Sequence, residues 1–114
     1  MALNRGDIVV GVASRDYGKP RPALVVQSNL YNPTHASVTI CPVTSHLIDA
    51  PLFRVALPAL DGTGLKADSQ IMIDKIASVP VERIGRKIGH IPTARVKEVD
   101  AALALWLGLQ PANR

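Results

Sequence analysis

Gly18-Lys19-Pro20-Arg21-Pro22-Ala23-Leu24-Val25-Val26-Gln27 sets one arginine between two prolines and then runs into an unbroken apolar stretch. The prolines fix their own φ and push the residues before them towards extended backbone. From Pro22 to Gln27 no polar residue alternates with the apolar ones, which predicts a strand buried on both faces in the middle of a sheet. Arg21 is then delivered at the mouth of a rigid strand, where it engages a ligand at a smaller entropy cost than from a loop. Cys41-Pro42-Val43-Thr44-Ser45 repeats the layout of strand, proline and hydroxyl. The plainer alternatives are a solvated loop charge at Arg21 and a turn former at Thr44.

Outward from that strand the chain reads as a series of short β segments. Asp7 to Ala13 is a first strand opened by Gly6, and Ser14 to Pro20 a polar loop. Ser28 to Ala36 is a second loop and Ser37 to Val43 a third strand. Phe53-Arg54-Val55-Ala56-Leu57 alternates as a strand with one solvated face should, and Pro58 to Lys66 is a turn region. Ser69 to Ile76 is a further strand, Val79 to Ile84 a short helical turn led by Pro80, and Arg86 to Ile91 a last strand. The period then changes. Val96, Val99, Leu103, Trp106 and Leu107 fall on one stripe at helical spacing, with Thr93 as N-cap and Gly108 as stop. Many short strands and one helix predict a mainly β domain, a small, strongly bent antiparallel sheet or barrel with the C-terminal helix packed on it. Residues 1–114 form a single domain in this reading, with Gln110 to Arg114 a frayed tail.

Composition narrows the function. The chain is 47% hydrophobic and 19% charged, as in a folded globular protein. One cysteine, Cys41, allows no internal disulfide, and its strand context makes it a small apolar filler in a reducing cytoplasm. The N-terminus lacks the layout of a signal peptide, and no apolar stretch reaches membrane-spanning length. A net charge of +4 points to a polyanionic partner, nucleic acid or an acidic protein.

His35, His46 and His90 are scattered without paired ligand spacing, so no metal site is expected. Gly62-Thr63-Gly64 lacks the Lys-Ser/Thr ending of a phosphate loop and reads as a turn. What remains is a set of strand-end groups: Arg21, Thr44, Ser45, His46, Asp74 and Lys75. Such a set suits RNA cleavage, because the ribose 2′-hydroxyl is already the nucleophile. The protein then has only to orient it, move two protons and stabilise a doubly charged phosphorane. Arg21 matches phosphate oxygens with a planar, permanently charged fork, and Thr44 both donates and accepts a hydrogen bond. Asp74 and His46 are the candidates for proton transfer. Aromatic residues make up 4% of the chain, and Tyr17 and Tyr31 alone fall in predicted loops. RNA is therefore expected to be held through phosphates and base edges more than by stacking.

These segments resemble the MazF/PemK family of toxin endoribonucleases. The likeness is carried in order by Gly6-Asp7-Ile8-Val9, by Arg21 to Val26, by Tyr31-Asn32 and by Pro42-Val43-Thr44. It continues through Gly64 to Ser69, Ile73-Asp74-Lys75-Ile76 and a terminal helix over Val96 to Leu109. The resemblance implies an SH3-like barrel of the MazF/CcdB/Kid type that forms a homodimer. It further implies cytoplasmic cleavage of single-stranded RNA at short motifs, without a cofactor, to 2′,3′-cyclic phosphate and 5′-hydroxyl ends. It implies a cognate antitoxin with an acidic, partly disordered segment, and it places the catalytic pair on Arg21 and Thr44. Tyr17, Lys19, Ser45 and Lys75 are the RNA contacts expected around that pair. Two departures stand out. The loop Arg15-Asp16-Tyr17-Gly18-Lys19 is short for the family, and Met72 stands where one branch carries a proton-donating arginine two residues before the aspartate. The alternative from another class is a non-enzymatic, CcdB-like gyrase inhibitor, which Trp106-Leu107-Gly108-Leu109 superficially resembles. The position of Trp106 on the apolar stripe speaks for core packing instead.

Overall fold

The computed structural model describes residues 2–12, 20–60 and 62–109. Seven strands make up its sheets: β1 Asp7–Val12, β2 Pro20–Val25, β3 Ser37–Thr44, β4 Arg54–Leu57, β5 Ser69–Met72, β6 Ala77–Pro80 and β7 Ile84–His90. One helix, α1 Thr93–Leu107, follows them. All pairings are antiparallel in the order β4-β5-β3-β2-β1-β7, with β6 beside β3. The sheet bends like a barrel without closing into one.

β3 is the pivot. Along one edge it pairs with β2 (Ala23↔Pro42, Leu24↔Cys41, Val25↔Ile40). Along the other it pairs first with β6 through Ser37 to Ile40 and then with β5 through Val43 and Thr44. Cys41 and Pro42 span the gap between those two partners, and Pro42 brings no N–H that the gap would leave unpaired.

Both faces of the central strands are buried, as the unbroken apolar run predicts. Ile8, Leu24, Cys41, Val43 and Ile71 point into a first core that α1 covers with Val99 and Leu103. Val9, Ala23, Val25, Val38 and Ile40 point into a second core on the opposite face, joined by Leu3 and Ile84. Neighbours Ile8 and Val9 are both fully buried, one in each core. Burying each such side chain stabilises the fold by roughly 1.5–3 kcal/mol.

Several elements differ from the sequence reading. The strand expected over Ser69 to Ile76 stops at Met72, and Ile73–Lys75 is a 3-10 turn leading into β6. The turn expected at Val79 to Ile84 contracts to Val81–Arg83, because Val79 and Pro80 belong to β6, whose weak, mostly exposed pattern hides it in the sequence. Thr93 does not cap α1; it is the first helical residue, the N-cap position is Pro92, and no side chain bonds the helix start. Gly108 ends the helix as expected, at φ 72°, with the Leu109 N–H donating to the Ala104 carbonyl at 2.8 Å. Trp106 and Leu107 leave the expected core stripe and are 48% and 51% exposed. Burial ends at Leu103, and Trp106 instead tilts against half-buried Phe53 with ring centroids 5.9 Å apart. Gly62-Thr63-Gly64 is a turn, as read. It packs by backbone on β7: a Cβ on Gly64 would strike the Ile88 carbonyl, and one on Gly89 would strike Thr63.

The ends of β1 and β7 are tied by a buried carboxylate. Asp7 has no exposed surface, and its Oδ1 lies 2.9 Å from His90 Nδ1 and 3.3 Å from Lys87 Nζ. Its Oδ2 accepts the Asn4 N–H at 2.8 Å. Burial by itself raises the Asp7 carboxyl, but the hydrogen bonds from His90, Asn4 and Lys87 outweigh it and hold the group below the usual carboxylate range. A lowered carboxyl contributes stability above its unfolded value and loses it as pH falls through the folded one. Asp7→Asn is therefore expected to cost about 1–3 kcal/mol in urea unfolding at pH 7, and the gap to the parent should narrow at pH 3. An unchanged gap at both pH values would show that the carboxylate charge is not what ties these strands.

Candidate nucleic-acid interface

Arg21 and Thr44 leave the sheet on one face. In β2, Arg21 shares its side with Ala23 and Val25; in β3, Thr44 shares its side with Ile40 and Pro42. Both sets line the second core's face. The β2–β3 register ends at Ala23↔Pro42, and continuing it by two residues sets Arg21 opposite Thr44. Arg21 is exposed and paired in register with Gly11 of β1, while Pro20 and Pro22 face Val12 and Val10. The pairing with β1 therefore fixes the arginine's backbone.

Beside Arg21 lies a depression of about 360 Å³ at the open end of the second core. Ala23, Ile40 and Pro42 form part of its wall, and Pro80 and Arg83 bring in the β6–β7 connection. Sequence reasoning missed Arg83. The signal was the proline-led turn before it, which the sequence shows but whose place across from Arg21 only the fold reveals.

Thr44 is held by its own loop. Its Oγ1 accepts the His46 N–H at 3.1 Å, so the hydroxyl proton remains to donate outward. The turn-former and functional readings of Thr44 are thus compatible. Arg54 Nη1 donates to the His46 carbonyl at 3.1 Å and to Gln70 Oε1 at 2.7 Å. Gln70 in turn accepts the Ile48 N–H at 3.2 Å and donates to the Ile48 carbonyl at 2.9 Å. Arg54, expected on a solvated strand face, is thus half-buried and braces the loop that follows Thr44. A single arginine in an alternating strand gave no hint of this, because its partner Gln70 is far away in sequence.

The remaining sequence candidates are distributed unevenly. Ser45 and His46 are exposed beside Thr44. Lys75 is exposed at the end of the 3-10 turn after β5. Asp74, on the same turn, does not line the depression; its Oδ1 is buried without a hydrogen-bond partner. Its charge is felt at Cys41, whose thiol points into the first core, away from Arg21. That thiol is pushed up to about 12, chiefly by burial and further by Asp74, with Arg5 opposing. Cys41 is the apolar filler expected of it. Tyr17 and Lys19 lie outside the described residues. Among the described residues no three of His, Cys, Asp or Glu gather closely enough to hold a metal ion, and no helix is long and apolar enough to cross a membrane.

The sequence profile of the PemK-like, MazF-like toxins of type II toxin–antitoxin systems matches residues 4–107. The chain belongs to the PemK/MazF toxin family. The probable endoribonuclease MazF of Mycolicibacterium smegmatis is 38% identical over 108 residues, 94% of this chain and 98% of that relative. Endoribonuclease EndoA of Bacillus subtilis is 26% identical, over 96% of this chain and 97% of its own length. Among solved structures, a MazE–MazF crystal structure from Deinococcus radiodurans superposes with a TM-score of 0.77 at 27% identity, covering 96% of this chain and 100% of that one. The mainly antiparallel β fold with a single C-terminal helix is that of the MazF toxins. The gyrase-inhibitor alternative is not favoured, since these relatives carry endoribonuclease names. Burial of Trp106, offered against it on sequence grounds, does not hold in the structure.

The Arg54–Gln70 brace can be tested directly. Gln70→Ala removes the acceptor of the Ile48 N–H, so amide exchange at Ile48 should accelerate at least tenfold while global stability falls by about 1 kcal/mol. Unchanged protection at Ile48 would show that the loop is held by something else.

Proposed function

We propose that this protein is the toxin of a toxin–antitoxin pair and cleaves single-stranded RNA in the cytoplasm. The observation that carries this reading is the emergence of Arg21 and Thr44 on one face of two adjacent strands, with Arg21 beside an open depression. Family membership and the names of the relatives support it.

The chemistry follows from what each group can do. The ribose 2′-oxygen attacks its own phosphorus while the 5′-oxygen of the next nucleotide leaves. The two developing charges on the non-bridging oxygens are met by the Arg21 fork and by the Thr44 O–H. One proton leaves the 2′-hydroxyl and one reaches the departing oxygen, giving a 2′,3′-cyclic phosphate and a 5′-hydroxyl end. Of the two proton-transfer candidates, His46 is exposed two residues after Thr44, its N–H bonded to the Thr44 hydroxyl, while Asp74 is carried on a different element, the 3-10 turn after β5. We therefore assign proton transfer to His46 ahead of Asp74. No step calls for a cofactor, and none is proposed. The toxin acts as a homodimer, and the acidic, partly disordered segment of its antitoxin covers the basic mouth around Arg21.

The test is cleavage of an end-labelled single-stranded RNA in EDTA. Discrete cuts with cyclic-phosphate ends are expected. Arg21→Ala should slow them about 100-fold or more and Thr44→Val about tenfold, with circular dichroism unchanged. Full activity in Arg21→Ala would remove the assignment. With binding dominated by a few phosphates, affinity for a non-cleavable single strand should drop about tenfold between 50 and 200 mM salt. A flat salt response would exclude phosphate contacts as the main source of affinity.

A further inference from the structure

We infer that the depression beside Arg21 is a nucleobase subsite in which Arg83 selects a keto base, uracil or guanine, next to the scissile phosphate. The inference rests on the ribonuclease reading and extends it to substrate choice. At about 360 Å³ the depression falls within the range of small-ligand sites. Pro22, Pro42, Pro80 and Val79 give it apolar walls, and among the described residues no aromatic ring lines it. A base lying there is held by these walls and read at its edge.

The side-chain groups available to read that edge are donors. Ser78 lines the depression, but its side chain turns to the other face of β6, where its Oγ lies 3.3 Å from Thr39 Oγ1. Among the described residues this leaves Arg21 and Arg83 as the polar side chains that line the space. A guanidinium has no acceptor. It pairs in two-point fashion with O6 and N7 of guanine, and it bonds O4 of uracil. The amino groups of adenine and cytosine stand at the same edge positions and would face another donor.

Arg83 is suited to the task by its mounting. It is exposed, with no hydrogen bond or ion pair among the described residues, at the end of the Val81–Arg83 turn. That turn is anchored by buried Ile84 and by Gly85, where a Cβ would press on the Val10 carbonyl. Opposite it, Gly11 also lines the depression, and among the described residues nothing lies within 4 Å of a Cβ added there. A longer side chain at Gly11 would extend into the space beside Arg21, its partner in the register.

The experiment uses sets of four RNAs that differ only in the base on one side of the cleaved step. Matched strands carrying a 2′-deoxyribose at that step report binding without cleavage. The full-length protein is expected to favour uracil or guanine over adenine and cytosine at one position by about tenfold or more in both assays. Arg83→Ala should bring the four within about twofold of one another, and Arg83→Lys should restore binding but not the preference. Gly11→Leu, which fills the space beside Arg21, should abolish the preference in the deoxy-strand binding assay, where no cleavage by Arg21 is needed. A preference that survives in Arg83→Ala, or in a folded Gly11→Leu, overturns the subsite. So does cleavage with no preference at either flanking position, which leaves the ribonuclease reading intact. If no RNA is cut but the deoxy strands are still discriminated through Arg83, the subsite stands and the ribonuclease reading falls.

Discussion

β3 has to satisfy three neighbours with eight residues, and the molecule depends on how it does so. Its first half is locked between β2 and β6, and its last two residues turn to β5. The change of partner opens the sheet at Cys41 and Pro42. A residue with an N–H at an unpaired position in that gap would bury a donor at a cost of about 1–3 kcal/mol; proline has none to bury. Because the sheet opens there, Thr44 reaches the surface one step beyond a fully packed segment. The hydroxyl proposed for catalysis is thus carried by the strand that pairs with three others.

Burial on both faces has a similar effect on Arg21. A strand with one wet face can slip by a residue at the cost of exposing a single row of side chains. A strand whose even and odd residues enter different cores cannot slip without disrupting both. Leu24 belongs to one core and Val25 to the other, so the register that sets Arg21 against Gly11, and in line with Thr44, is doubly determined. The Arg54–Gln70 contacts extend this order to the loop after Thr44, at the cost of an Arg54 Nε buried without a partner.

Much of this was legible in the chain itself. The apolar run after Pro22 announced a central strand, and the prolines at 20, 22 and 42 marked where Arg21 and Thr44 leave the packed sheet. The helix was placed by its spacing, and its stop by Gly108. What stayed hidden depends on distance in three dimensions. β6 is short and mostly exposed, so it carries no periodic signal, and Arg83 could not be set across from Arg21 until β6 was known. Gln70 and Arg54 look like ordinary solvated strand residues when read singly. Trp106 has the right spacing for the stripe, yet spacing cannot tell where along the helix the cover ends. Local sequence does not reveal on which side of β3 the charge of Asp74 is felt.

The placement of Cys41 also decides how the molecule behaves towards electrophiles. A fully buried sulfur that holds its proton up to about 12 is only about one part in 100,000 thiolate at neutral pH. Maleimides and iodoacetamides will pass it by as long as the fold holds. The native chain is in effect a cysteine-free background for site-directed labelling: a thiol introduced on the rim at Ser45 or Arg83 would take a fluorophore alone. Reaction at position 41, when it does occur, reports that β3 has come out of the sheet.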